Sequence, residues 1–108
     1  MKSKAVHLRP LAGCDIAEAL KHYRREGGSA LRNRWVDTIQ EELAHVGKYP
    51  GTGSTRYAAV LQLAGLRFWT LRTFLYLIFY IERDDQIDVW RVLHAQQDIP
   101  AWISGSQG

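Results

Sequence analysis

The sequence has few of the residues that build redox centres and metal sites. Among its 108 residues Cys14 is the single cysteine, which excludes an intrachain disulfide and a cysteine-based zinc site. The four histidines are scattered, and no two stand at the i, i+4 spacing typical of metal ligands. We therefore expect neither a metal nor a cofactor.

Long hydrophobic runs are also absent. The longest uninterrupted apolar stretch covers residues 74–81, far short of the ~20 residues that cross a bilayer as a helix. The positively charged N-terminus is not followed by the apolar stretch that a signal peptide needs. We expect a cytoplasmic protein that does not enter a membrane.

Positive charge is modest in total but unevenly distributed. The formal net charge is +3, and the first half of the chain carries the whole excess. Within it, a short segment concentrates the cations Lys21, Arg24, Arg25, Arg32 and Arg34. This cluster is either a solvated helix end, where cations are favourable, or a docking patch for an acidic partner or nucleic-acid phosphates.

The first half of the chain predicts one strand and two helices. Residues 3–8 alternate well enough for a short strand. Apolar residues at helical spacing then predict a helix that stops at Gly27-Gly28 and a second one from Ser29 to the region 47–50. Because the connection is so short, we expect the two helices to form an antiparallel hairpin.

The second half predicts a three-strand meander over residues 66–72, 75–82 and 86–93. The middle strand has no polar face, so we expect it to be central and covered on both sides. Cover for the face away from the helices could come from residues 99–103, from the loop 51–64, or from another protein.

Together these elements predict a single α+β domain over residues 1–103. Its N-terminal strand and helical hairpin would pack on a mainly antiparallel sheet that the meander completes. Residues 104–108 have nothing to pack, and we expect them to form a disordered tail.

An arginine in the last predicted strand is unusual for its position. Alternation places Arg91 on one face of the strand together with the aliphatic residues Ile87, Val89 and Leu93. A snorkelling or carboxylate-paired side chain would account for it. The alternative is a cationic site on the sheet surface, able to hold a phosphate and assist a proton transfer, made of Arg67, Arg72, Arg91 and His94.

The order of elements resembles the RelE/ParE superfamily of bacterial type II toxins. Local patterns are similar to its ParE branch at residues 9–12, 49–51, 65–67 and 76–80. The closing segment 91–98, which begins Arg-Val-Leu-His, also resembles the ParE pattern. One departure is Gln97, which stands where that family usually has arginine.

The resemblance implies two possible activities. RelE-like members cut messenger RNA on the ribosome with lysine or arginine near the end of helix two and a tyrosine or histidine near the C-terminus. This chain has no lysine after Lys48 and no tyrosine after Tyr80, although Arg67, Arg91 and His94 could partly fill those roles. ParE-like members inhibit DNA gyrase, and the sequence fits them better. We therefore expect a protein inhibitor with no catalytic residues.

The resemblance also implies a cognate antitoxin, with DNA contacted only through the antitoxin complex. A partly disordered acidic chain that folds onto the toxin would suit the basic segment and the exposed aromatic residues. The predicted partner-binding residues are Lys21, Arg24, Arg25, Arg32, Arg34, Trp90 and Trp102. An inactive relative that only joins a repressor complex with antitoxin and DNA is a third hypothesis.

Overall fold

The structure is a computed structural model that describes residues 3–105. It is an α+β fold in which helices pack on a four-stranded sheet, and at this level the prediction is confirmed. In chain order the elements are β1 (Ala5–Leu8), α1 (Pro10–Lys48), a short 3-10 turn (Pro50–Thr52), α2 (Arg56–Val60), β2 (Leu66–Thr70), β3 (Tyr76–Glu82), β4 (Gln86–His94) and α3 (Ile99–Ser104). Of the predicted disordered tail, residues 106–108 lie outside the described residues, and Ser104 is the last residue of α3.

The sheet is mixed, with strand order β1-β4-β3-β2. Strands β2, β3 and β4 form the predicted antiparallel meander, and β1 pairs with β4 in parallel. The apolar strand β3 lies between two neighbours, and its residues 77–81 are buried. A strand of that composition needs cover on both faces, so β3 fixes where the two layers of core must lie.

The predicted pair of separate helices takes a different form. A single helical segment, α1, covers Pro10–Lys48 and is kinked at Gly27 and Gly28. The chain turns back at this kink. A contact between its two arms shows the reversal, since Trp35 Nε1 donates a hydrogen bond of 3.2 Å to the Ile16 carbonyl oxygen. In a straight helix those residues would lie about 28 Å apart. The break therefore falls at Gly27 and Gly28, where the sequence predicted the first helix to stop, and the two predicted helices form one kinked segment.

The core has one layer on each face of the sheet. On one face Trp35, Ile39 and Val46 of α1 pack with residues of β3 and β4. On the other, Ile99 and Ile103 of α3 are buried together with the second set of sheet residues, and side chains from segment 57–63 pack against them. The chain itself thus supplies cover from both internal candidates, residues 99–103 and the loop 51–64. The sequence predicted no helix over the segments that form α2 and α3.

A bulge in β4 changes which side chains share a face. The register with β3 shifts between Phe79 and Tyr80, so that Trp90 is an extra residue in β4. Val89 consequently packs in the layer of α1, whereas Leu93 packs in the layer of α3. The predicted alternation, which grouped these two residues, is wrong because one extra residue reverses the side on which the later ones lie.

We expect Gly28→Ala to destabilise the protein by about 1–3 kcal/mol. Gly28 has φ 69° and ψ −160°, a backbone region essentially limited to glycine. An added Cβ would meet no atom within 4 Å, so the loss would come from the backbone alone. Urea unfolding followed by circular dichroism measures it.

Gly13→Ala is the matched control for that change. Gly13 lies inside α1, and an added Cβ there also meets nothing within 4 Å. Since alanine is the better helix former, we expect a gain of about 0.5–1 kcal/mol. Equal effects of the two substitutions would contradict the role given to the Gly28 backbone.

Candidate functional site

Arg91 is buried, with 5% of its surface exposed, and two of its guanidinium nitrogens bind one carboxylate. Its Nε donates to Asp15 Oδ2 and its Nη2 to Asp15 Oδ1, each at 2.7 Å. These charge-assisted bonds raise the pKa of Arg91 above its ordinary value, against the opposing effect of burial. Arg91 thus holds α1 against β4, and the carboxylate-paired interpretation of this arginine is the one that its geometry fits.

Asp15 has a second function at the edge of β4. Strand β1 pairs with β4 only as far as Val89, so the later residues of β4 lack a neighbouring strand on that side. Asp15 Oδ2 accepts the backbone N–H of Val92 at 3.0 Å, and Gln97 Oε1 accepts that of His94 at 2.7 Å. Side chains therefore replace the missing strand as hydrogen-bond acceptors.

Arg67 lies away from the other proposed nuclease residues. It is on β2, whereas Arg91 and His94 are on β4, and β3 separates the two strands. Its Nη1 donates to the carbonyl oxygens of Gly53 at 2.8 Å and Gly51 at 3.3 Å. The guanidinium therefore stabilises the turn that follows α1.

His94 is half-buried at the end of β4, where its ring lies edge-on against Tyr76. Its Nδ1 accepts the backbone N–H of Gln96 at 3.1 Å. The Gln97 side chain accepts the backbone N–H of His94 and adds no charge beside it. The structure does not bring Arg67, Arg91 and His94 together as one cationic site.

A second ionic cluster surrounds Asp88 on β4. Arg9 binds its carboxylate through Nε at 3.0 Å and Nη2 at 2.9 Å, and Arg83 Nη2 adds a bond of 2.9 Å. Burial alone would raise the pKa of Asp88, but the hydrogen bonds and charges of the two arginines together lower it below its ordinary value. The sequence analysis missed this cluster, although an aspartate within an apolar strand is a visible signal.

Trp90 is not available as a surface residue in this structure. Only 7% of it is exposed, and the Arg9 guanidinium lies 3.8 Å from the centre of its ring. Trp90 lies in the layer of core under α3, and the alternation pattern could not show that this face of the strand is covered. This burial removes Trp90 from the predicted partner-binding surface.

The predicted cationic residues of α1 do lie at the surface, around the kink. Lys21, Arg24, Arg25 and Arg34 are exposed and Arg32 is half-buried. We call these five residues the cationic tip. Lys21 Nζ lies 3.7 Å from Glu18 Oε1, and Arg32 Nη1 donates to Asn33 Oδ1. Most of the charge of the tip is thus available to a partner.

Trp102 on α3 is 45% exposed and contributes to two neighbouring hollows. With Leu11, Ala101 and other residues it lines a cavity of about 380 Å³ between α3 and the start of α1. On its other side, a hollow of about 270 Å³ is lined by residues that include Glu18 and His22. We call this pair of hollows the Trp102 groove.

These features define a small α+β domain that offers surfaces for a macromolecular partner. Within residues 3–105, no group of three histidine, cysteine, aspartate or glutamate side chains could hold a metal ion. No helix in that range is long and apolar enough to cross a membrane. What the described surface offers is cations and exposed apolar side chains, which suit protein recognition.

Comparison with known proteins identifies the family. The family described as "ParE toxin of type II toxin-antitoxin system, parDE" matches residues 6–99. The chain therefore belongs to the ParE toxin family, and the resemblance found in the sequence is confirmed. Its function is that of the toxin component of a type II toxin–antitoxin system.

The fold is also that of a solved toxin–antitoxin structure. A chain described as "Chromosomal ParDE TA system from P. aeruginosa" superposes with a TM-score of 0.72 at 17% identity. The similarity covers 87% of this chain and 98% of that one. At this level of identity it shows a shared fold. No match is found among curated proteins.

Removal of the Asp15 carboxylate should destabilise the fold strongly. Asp15→Ala removes the carboxylate that binds buried Arg91 and accepts the Val92 N–H, for an expected loss of about 3–5 kcal/mol. Asp15→Asn keeps an acceptor oxygen and should cost less. Denaturant unfolding measures both, with the exposed Asp37→Ala as control, for which we expect a change within about 0.5 kcal/mol. A loss for Asp15→Ala no larger than that of the control would contradict this role.

Asp88 should make stability depend on pH in the acidic range. Its pKa is lowered in the folded chain, so its contribution is present above the unfolded value of 3.8 and is lost as the pH falls through the folded value. We expect the difference in melting temperature between the wild type and Asp88→Asn to be largest near neutral pH and to shrink below about pH 4. A difference that stays constant from pH 7 to pH 2 would rule out ionisation of Asp88 as the cause.

Proposed function

We propose that this toxin arrests bacterial growth by inhibiting DNA gyrase and that a cognate antitoxin neutralises it in the cytoplasm. Membership of the ParE family supports the gyrase assignment, because ParE-like members inhibit DNA gyrase and lack the nuclease residues of RelE-like members. The observation that favours gyrase inhibition over RNA cleavage is the ion pair between Arg91 and Asp15. An arginine held in this way is not free to bind a scissile phosphate.

The geometry gives little support to the alternative, a ribosome-dependent endoribonuclease. Such an enzyme needs cations placed around the general base so that they stabilise the charge of the transition state. Here Arg67, on β2, binds a backbone carbonyl of the turn that follows α1, and Arg91 is buried against the carboxylate of Asp15. His94 is left beside Tyr76 and the amide of Gln97.

The antitoxin proposal is supported by the two surfaces described above. The P. aeruginosa structure comes from a system that pairs a toxin with an antitoxin, and we infer the same arrangement for this chain. An acidic segment would complement the cationic tip, and an apolar side chain would fill the Trp102 groove. In this proposal DNA is contacted only through the antitoxin complex.

The gyrase proposal predicts that the purified protein stops DNA supercoiling. We expect inhibition at concentrations comparable to that of the enzyme, with accumulation of cleaved-DNA complexes and reversal by the antitoxin. A transcript-cleavage assay on ribosomes, run on the same preparation, is the comparison. Unchanged supercoiling without cleaved DNA would contradict the proposal, and specific transcript cleavage would favour the endoribonuclease.

A further inference from the structure

The turn between β2 and β3 has an unusual backbone. Phe74 has φ 69° and Leu75 has φ 54°, so two consecutive bulky residues are in the left-handed region. This region costs roughly 1–2 kcal/mol for each residue with a side chain, and glycine or asparagine usually takes it. A pair of such residues in one turn needs a reason beyond chain reversal.

Packing explains Phe74 but not Leu75. The Phe74 ring lies 4.6 Å from that of Tyr23 and 5.4 Å from that of Trp35, measured between centroids, and so joins the turn to α1. The Leu75 carbonyl oxygen accepts the backbone N–H of Ala95 at 2.9 Å, a hydrogen bond that does not involve the side chain. Its side chain is 56% exposed. Glycine would keep that hydrogen bond without the strain.

Two arginines lie at this turn. Arg72 is exposed in the same turn, and the Arg34 guanidinium lies 5.9 Å from the centre of the Phe74 ring. Neither arginine forms an ion pair with a carboxylate of residues 3–105. We call Arg34, Arg72 and Leu75 the turn surface. It adjoins the cationic tip, since Arg34 belongs to both.

We propose that the turn surface is where this toxin contacts its target, and that the target presents acidic side chains around an apolar contact for Leu75. The inference rests on the proposed function as a growth-arresting toxin and adds the contact site. Opposite charge on the partner follows from the two arginines that have no counter-ion within the described residues. A protein partner is favoured over nucleic acid because phosphates would use the arginines alone and leave a strained, exposed leucine without a role.

The sharpest test is Leu75→Gly, because folding and target binding should respond in opposite directions. The substitution relieves the left-handed strain, so the melting temperature should stay equal or rise. The inducer level needed for growth arrest in bacteria should nevertheless increase about tenfold or more, which corresponds to loss of one important contact. Val60→Ala is the matched control, since Val60 is an exposed aliphatic residue on α2, and it should leave growth arrest unchanged.

Charge reversal tests the acidic character of the partner. Arg72→Glu should weaken growth arrest at least as much as Leu75→Gly, while Lys48→Glu, a reversal at the exposed end of α1, should not. Growth arrest by Leu75→Gly and Arg72→Glu at the wild-type inducer level would overturn the inference. So would a parallel loss of affinity for duplex DNA or RNA in both variants, since it would identify nucleic acid as the ligand.

The supercoiling assay separates the two proposals. If the wild type does not inhibit gyrase but its growth arrest depends on the turn surface, the gyrase assignment fails and the contact site stands. If Leu75→Gly and Arg72→Glu inhibit gyrase as well as the wild type does, the contact site fails and the gyrase assignment stands.

Discussion

The bidentate pair between Asp15 and Arg91 connects the parts of the fold that no strand pairing joins. Strand β1 is too short to cover the whole edge of β4, and beyond Val89 the edge would otherwise present unpaired amides. Asp15 satisfies one of these amides while it neutralises a buried charge. That carboxylate therefore ties the start of α1 to β4, while Trp35, Ile39 and Val46 pack the later part of α1 on the sheet.

The same pairing limits the chemistry that the protein can perform. A buried arginine bound to a carboxylate stabilises architecture, and its charge is not available for catalysis. Arg9 and Arg83, which are more exposed, bind the carboxylate of Asp88, and Arg67 binds backbone carbonyls. Exposed positive charge is concentrated around the kink of α1 and the β2–β3 turn, with further cations at Lys48 and Arg56. This distribution suits a protein that acts by binding.

Local patterns predicted the four strands and the long helical segment, although not the short helices α2 and α3, because helix and strand periodicities arise from neighbouring residues. The apolar run of β3 placed that strand at the centre, and Gly27-Gly28 marked where α1 turns back. The bulge at Trp90 escaped prediction, since an extra residue in one strand depends on its pairing with another. The surface position predicted for Trp90 was wrong because the layer under α3 and the Arg9 side chain cover its ring, whereas Trp102 is 45% exposed.

The sequence by itself determined the α+β class, the order of the strands in the meander, the family and the concentration of cations near the kink. These features depend on composition and on residues close in the chain. Only the tertiary structure decided which arginines are free and which are bound. Asp15 and Arg91 are separated by 76 positions, and no local pattern relates them. Their contact exists because the kinked helix and the bulged strand bring two distant charges to one place.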